Sequence, residues 1–160
     1  MAWKTDECYF KKAIEVSREA LDTGNDGFGC ILVSPEGEII MKQRNAVADE
    51  NNPTAHDVNT MLREAVKKYS PEYLWGCTVY ATMEPCCMCT GAAFWANVGN
   101  IKYAVSEREL GKLLPGGLDI PSRQVIESSG KEIKISGPFE SVHDEAIVVI
   151  KEWVDKILGK

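Results

Sequence analysis

Two cysteines and one histidine carry the clearest chemistry in this sequence. Cys86 and Cys89 stand in a Pro-Cys-x-x-Cys arrangement that begins at Pro85, and His56 lies well upstream of them. Thiolate sulfur and imidazole nitrogen suit Zn²⁺, and three protein ligands leave one position of a tetrahedral zinc open, as in catalytic zinc sites. Zinc brings the pKa of a water at that position close to neutrality. The pattern therefore predicts a zinc hydrolase.

The elements around these residues are expected to bring the three ligands together. The apolar stretch Thr78–Met83 predicts a strand, and the proline that follows it is compatible with a change from strand to helix. On that helix Cys86 and Cys89 are nearly one turn apart, so both sulfurs can face one point. Another helix is predicted to start at Pro53-Thr54, which places His56 in its first turn. There the helix dipole favours a nearby anion.

The rest of the chain predicts one α/β domain over residues 1–160. The segment 106–130 gives only weak signals, and a short helix near 122–127 is left open. Elsewhere the pattern predicts helices over 6–21 and 142–158, a hairpin over 30–33 and 39–41, a loop over 49–52, a helix end at Pro71, and strands over 101–105 and 132–136. Helices that alternate with five strands predict a three-layer α/β/α sandwich around a five-stranded mixed sheet.

The composition narrows the class of protein further. The chain has 160 residues with a net charge of −6, and its Lys and Arg residues are dispersed, which disfavours a nucleic-acid partner. No apolar stretch is long enough for a membrane span, and residues 1–7 lack the layout of a signal peptide, so a cytoplasmic protein is expected. Six cysteines in such a protein fit a metal site plus reduced thiols better than disulfides.

At these residues the chain resembles the cytidine deaminase-like superfamily of zinc aminohydrolases, whose signature is H-x-E followed by P-C-x-x-C. The stretch Thr82–Cys89, followed by Gly91-Ala92, carries the more specific part of the resemblance. The element order is similar to that of the guanine deaminase and purine nucleoside deaminase branch. The resemblance implies that His56, Cys86 and Cys89 hold the zinc.

The resemblance also implies roles for residues around the metal. Asn45, Phe28, Ala55 and Trp95 fall at positions expected to contact the substrate or to line its pocket. Glu84 is expected to belong to the catalytic site, where its carboxylate braces the loop at the end of the strand. Such proteins are commonly homodimers, so a second copy of the chain is the expected partner.

The H-x-E half of the signature is not matched in this sequence. The position of the family's catalytic Glu is occupied by Val58, so the sequence reads His-Asp-Val. A positioned acid/base group is worth about 10²–10⁴-fold in rate, and valine cannot transfer a proton. Asp57 is the nearest replacement as a proton shuttle, although it lies about 100° around a regular helix from position 58. The alternatives are that Asp57 only starts the helix, or that Asp26, Glu50 or a carboxylate of another subunit serves instead.

The expected function is hydrolytic deamination of a small aminated heterocycle, a purine-like nucleobase or nucleoside. In that reaction a zinc-bound hydroxide attacks the carbon that bears the amine, with Asp57 as the proton shuttle. One rival is a zinc-bearing pseudoenzyme that binds a nucleobase or a partner without turnover. Another is a hydrolase of the same kind that releases a group other than ammonia.

Overall fold

The computed structural model describes residues 4–160. They form a five-stranded sheet covered by helices on both faces. The strands are β1 (Gly29–Val33), β2 (Ile39–Arg44), β3 (Thr78–Met83), β4 (Asn100–Val105) and β5 (Lys134–Ser136). The helices are α1 (Asp6–Asp22), α2 (Val47–Glu50), α3 (Asp57–Lys68), α4 (Pro71–Trp75), α5 (Cys87–Ala96), α6 (Glu107–Leu113), α7 (Ser122–Glu127) and α8 (Glu140–Ile157).

The sheet is mixed, with strand order β2-β1-β3-β4-β5. β1 runs antiparallel to both β2 and β3, which confirms the expected hairpin, while β3, β4 and β5 run parallel to one another. The carboxyl ends of β3 and β4 therefore meet at the same edge of the sheet. Ligand sites of open α/β sheets form at this kind of edge.

The two faces of the sheet bury separate apolar clusters. Side chains alternate across a strand, so Ile31 packs with α1 and α8 on one face and Leu32 packs with α3 and α5 on the other. Phe10 and Ile150 fill the first cluster, and Met61 belongs to the second. Two helical layers on one mixed sheet confirm the predicted three-layer α/β/α sandwich.

Helix α1 matches the prediction and lies very close to the sheet. Its N-cap is Thr5, whose side chain accepts a hydrogen bond from the amide of Cys8. Gly29 permits the close approach, because a Cβ at this position would lie 2.5 Å from the backbone nitrogen of Ser17. This contact sets the distance between the α1 layer and strand β1, which follows the loop that carries Asp26 and Phe28.

Three short helices differ from the expectations. Part of the predicted loop over 49–52 is helical in α2, and Pro71 opens α4 instead of only following the end of α3. In α4, Ser70 caps the helix and Pro71 takes an N-terminal position, where its missing N–H costs nothing. Helix α6 occupies the weakly patterned segment after β4, and α7 falls where a short helix was left open.

None of the helices in residues 4–160 is long and apolar enough to cross a bilayer. Part of the stretch tested for a signal peptide, residues 1–3, lies outside the described range.

Candidate active site

The three predicted metal ligands meet at the edge where β3 ends. Nδ1 of His56 lies 3.6 Å from Sγ of Cys86 and 3.6 Å from Sγ of Cys89, and the three ligand atoms all lie within 4.8 Å of one another. With bonds of about 2.3 Å to sulfur and 2.0–2.1 Å to nitrogen, two ligands of a tetrahedral zinc lie about 3.6 Å apart. The observed separations and the donor set therefore fit zinc.

Two helix N-termini point at this group. His56 is the N-cap of α3 and Cys86 the N-cap of α5, each with extended backbone angles. The predicted helix start at Pro53-Thr54 is wrong, because these residues form a turn in which the Asn52 side chain accepts from the Thr54 amide. The helix begins at Asp57, and His56 precedes its first turn, with its carbonyl accepting the first bond of the helix, from Thr60. The pKa of the Cys86 thiol is well below its usual range, since Cys89 and then His56 hydrogen-bond to its sulfur. The thiolate is the form that binds metal.

Glu84 ties the metal segment to two later elements. It is buried, with one carboxylate oxygen accepting from the amide of Glu107 at 3.0 Å. The other oxygen accepts from the amide of Ser122 at 2.8 Å and from its hydroxyl at 2.7 Å. Since Glu84 directly precedes Pro85-Cys86, these bonds fix the start of α6 and of α7 beside the ligands. This geometry supports the bracing role.

A pocket of about 170 Å³ opens beside the three ligands. One wall is aromatic: the rings of Phe28 and Trp153 lie 4.9 Å apart at 65°, in an edge-to-face arrangement. The indole N–H of Trp153 donates to Asp26 at 2.9 Å, which joins α8 to the loop before β1. The pocket is lined by Asp26, Phe28, His56, Asp57, Val58, Met83, Glu84, Pro85, Cys86, Cys89, Glu107, Leu110 and Trp153.

Val58 and Asp57 both line this pocket. Val58 is 2% exposed and also packs in the α3 side of the core, and its aliphatic side chain has no group that can exchange a proton. Burial raises the pKa of Asp57 to about 6 and outweighs the nearby Val58 amide and the charge of His56, which lower it. The carboxylate of Asp57 is therefore close to the ligands and enclosed by protein.

The other residues expected to touch substrate lie in different places. Phe28 lines the pocket, whereas Asn45 and Ala55 are buried and do not belong to its lining. The side-chain oxygen of Asn45 accepts from the amides of Asp26 and Val47, at 3.3 and 3.0 Å. The backbone amide and carbonyl of Ala55 are both bonded within the preceding loop.

Trp95 does not reach the pocket of its own chain. It is 82% exposed on α5, against the ring of Phe94 at 5.0 Å. A substrate contact by Trp95 stays a prediction.

Sequence reasoning missed Glu107 altogether. It is the first residue of α6 and lines the pocket opposite the α3 side. A signal was available, because Ser106 followed by Glu109 has the spacing of a capped helix start, and the Ser106 hydroxyl accepts from the Glu109 amide at 3.2 Å. A helix start directly after β4 places its first residue at the same sheet edge as Cys86.

The fold and the ligand set define a zinc-dependent hydrolase, and comparison with known proteins makes the class specific. A family model for the cytidine and deoxycytidylate deaminase zinc-binding region matches residues 3–105. The chain belongs to this family and is a zinc-dependent deaminase.

Relatives of this chain carry several deaminase names. A probable cytosine deaminase of Schizosaccharomyces pombe is 34% identical over 155 residues, which cover 94% of this chain and 93% of the relative. The guanine deaminase of Bacillus subtilis is 36% identical over 104 residues, or 64% of this chain and 66% of the relative. A tRNA-specific adenosine deaminase of Aquifex aeolicus is 33% identical over 105 residues, or 66% and 69%.

Solved structures share the fold over nearly the whole chain. A guanine deaminase from Nitrosomonas europaea superposes with a TM-score of 0.80 at 20% identity, covering 96% of this chain and 87% of the other. The guanine deaminase from Bacillus subtilis gives a TM-score of 0.62 at 25% identity, covering 93% and 95%. At about 20% identity, the first of these likenesses bears on fold alone.

Proposed function

We propose that this protein deaminates a small aminated heterocycle, a purine-like nucleobase, by hydrolysis. The observation that carries the proposal is the position of the zinc ligand group, which borders a small pocket with an aromatic wall. Flat heterocycles pack favourably against aromatic rings, and Phe28 and Trp153 present such rings.

The size and charge of the pocket favour a free base over a larger substrate. Its volume of about 170 Å³ is below the roughly 300–1,000 Å³ of ordinary ligand pockets, which favours one ring system over a nucleoside or RNA. The lining contains carboxylates and no Lys or Arg, so a phosphate group finds no cation there. Relatives include deaminases of both free bases and tRNA, and these features favour the former for this chain.

In the proposed reaction, the side chains of this chain have separate roles. His56, Cys86 and Cys89 hold the metal; zinc, when bound, supplies an activated water as the nucleophile. Glu84 keeps the metal segment in place through its three accepted hydrogen bonds. Asp57, beside the ligands, takes a proton from the attacking water.

One observation favours a second candidate function. Val58 removes the carboxylate that the H-x-E signature supplies, and this is the change expected in a pseudoenzyme that binds a base without turnover. A related candidate is hydrolysis with a leaving group other than ammonia, which has different proton needs.

Ammonia release by the zinc-loaded protein tests the proposal. The panel contains guanine, adenine, cytosine, their nucleosides, and aminated pterins and triazines. We expect release from at least one free base and weaker release from its nucleoside. The Cys86→Ser variant, which lacks a ligand, is the control for contaminating activity. If the zinc-loaded parent releases no ammonia from any compound of the panel, deamination is contradicted, and the pseudoenzyme or the other leaving group is favoured.

A further inference from the structure

The carboxylates of the pocket differ in how far protein donors already occupy them. Among residues 4–160, Asp26, Asp57, Glu84 and Glu107 line the pocket. Asp26 accepts from the Trp153 indole and Glu84 accepts three hydrogen bonds, whereas Asp57 is buried at the start of α3. In that part of the chain no group donates to the carboxylate of Glu107 or forms an ion pair with it.

The backbone of Glu107 is fixed although its carboxylate is free. Its amide donates to Glu84 at 3.0 Å, so the residue is anchored to the strand end that leads into Cys86. It begins α6, whose cap is Ser106. A side chain held at its base and unpartnered at its tip is suited to meet a ligand, because binding costs little backbone order.

The surroundings of Glu107 also favour a group that changes protonation near neutral pH. Burial, followed by the negative charges of Cys86 and Glu84, raises the pKa of Glu107 to about 7. Zinc at the ligands would offset the Cys86 charge, which leaves burial and the charge of Glu84 as the causes. A general acid works best when its pKa lies near the working pH.

We infer that Glu107 is a second catalytic carboxylate, which protonates the departing amine, so that two residues share the work of the single Glu missing at Val58. This inference rests on the proposed deamination. The water oxygen bonds to the ring carbon, and Asp57 passes one water proton to the ring nitrogen. Protonated Glu107 gives its proton to the amine, which leaves as NH₃ with the electron pair of the C–N bond. Glu107 recovers a proton from the new hydroxyl as the carbonyl forms.

Leaving groups distinguish the two carboxylates. Chloride leaves without a proton, so we compare adenine with 6-chloropurine and guanine with 2-chlorohypoxanthine. We expect Glu107→Gln to lower kcat for ammonia release by about 10²-fold or more and to change chloride release little. Asp57→Asn should lower the rates of both reactions.

Glu140→Gln, which removes an exposed carboxylate from the first position of α8, is the matched control and should change neither rate. Equal loss of both reactions in Glu107→Gln, or normal ammonia release, would overturn the inference.

A binding measurement separates this inference from the proposed function. Calorimetry with unsubstituted purine at pH 6 and pH 8 needs no turnover. If Glu107 meets the ring, affinity of the zinc-loaded parent and of Glu140→Gln changes with pH, and the change is smaller in Glu107→Gln. Equal pH dependence in all three proteins would refute contact by Glu107, as would a parent that binds no purine at either pH. A parent that shows the expected pattern but releases neither ammonia nor chloride would contradict deamination alone.

Discussion

At the scale of single residues, the metal site depends on atom type and position and on little else. Cys87 lies between the two cysteine ligands in sequence, yet it is outside the ligand group and half-buried. We expect Cys89→Ser to lose bound zinc and Cys87→Ser to keep it, because only the first removes a thiolate from the tetrahedral set. Metal analysis of the two purified variants checks this. Equal zinc content would show that the ligand set is wrong.

Residue types indicated which side chains meet at the ligand group more clearly than which ones form the pocket wall. His56, Cys86 and Cys89 are brought together as expected, since few arrangements of such ligands satisfy zinc. Trp95, in contrast, has a side chain that suits a pocket, a core or an interface equally, and only the direction in which α5 faces places it on the surface. Glu107 is found through the helix start at Ser106, but its place beside the ligands comes from the pairing of β4 with β3.

At the scale of elements, Glu84 joins β3, α6 and α7. We expect Glu84→Gln to destabilise the protein by about 1–3 kcal/mol, because the new amide group faces buried N–H donors and leaves at least one of them unsatisfied. Zinc affinity should fall as well, since Glu84 directly precedes the cysteine motif. Denaturant unfolding and a zinc competition titration measure the two effects. Glu72→Gln on the exposed start of α4 is the control, and an effect of equal size there would contradict the bracing role.

Helices α6 and α8 are joined by a titratable contact. Nε2 of His143 lies 2.8 Å from a carboxylate oxygen of Glu109, and Nδ1 lies 3.1 Å from Asp144. These contacts, Asp144 first and then Glu109, raise the pKa of His143. A raised pKa in the folded state means that the stabilisation is complete below the unfolded value of about 6.5 and is lost as pH rises through the folded value.

We therefore expect the stability difference between the parent and His143→Gln to shrink as pH rises from 6 to 9. Its size at pH 6 should be less than about 1 kcal/mol, because the pair is partly exposed to solvent. Melting temperatures of both proteins across this range provide the measurement. A difference that grows toward pH 9 would have the wrong sign and would exclude this ion pair as the cause.

The elements that sequence patterns missed are the ones without a long apolar period. Helix α6 has no fully buried residue and contains Gly111, so its periodicity is weak, and only its cap at Ser106 marks its start. Helix α4 is too short for periodicity, and Pro71 was interpreted only as the end of the preceding helix. Helices α1 and α8 and strands β1 and β4 agree with the predictions to within two residues at each end, because packing on a sheet demands their patterns. Strand β2 extends three residues beyond its predicted end, into the polar segment Lys42–Arg44, where the apolar pattern stops.

At the scale of the whole molecule, the two apolar clusters share one sheet. We therefore predict that the chain unfolds as one domain, in a single transition seen alike by calorimetry, tryptophan fluorescence and circular dichroism. Removal of zinc by a chelator should lower the melting temperature, because the metal binds only the folded ligand group. Two separate transitions in the zinc-loaded protein would contradict the one-domain prediction.

The expected homodimer also belongs to this scale. Trp95 is large, apolar and 82% exposed on the α5 layer, and such a side chain is typical of an interface. We predict that Trp95→Glu converts a dimer to a monomer in sedimentation velocity. The matched control is Val148→Glu, which places the same charge at an exposed apolar position of α8, on the opposite layer. A parent that sediments as a monomer would refute the prediction.

The walls of the active site come from distant parts of the chain, and this bears on its synthesis. The ligands lie between His56 and Cys89, whereas the aromatic wall is completed by Trp153 of α8. On the ribosome, the metal-binding residues therefore emerge well before the helix that closes the pocket. Because the metal binds only the folded ligand group and the chain is expected to fold as one domain, zinc uptake is expected to wait until α8 has left the ribosome.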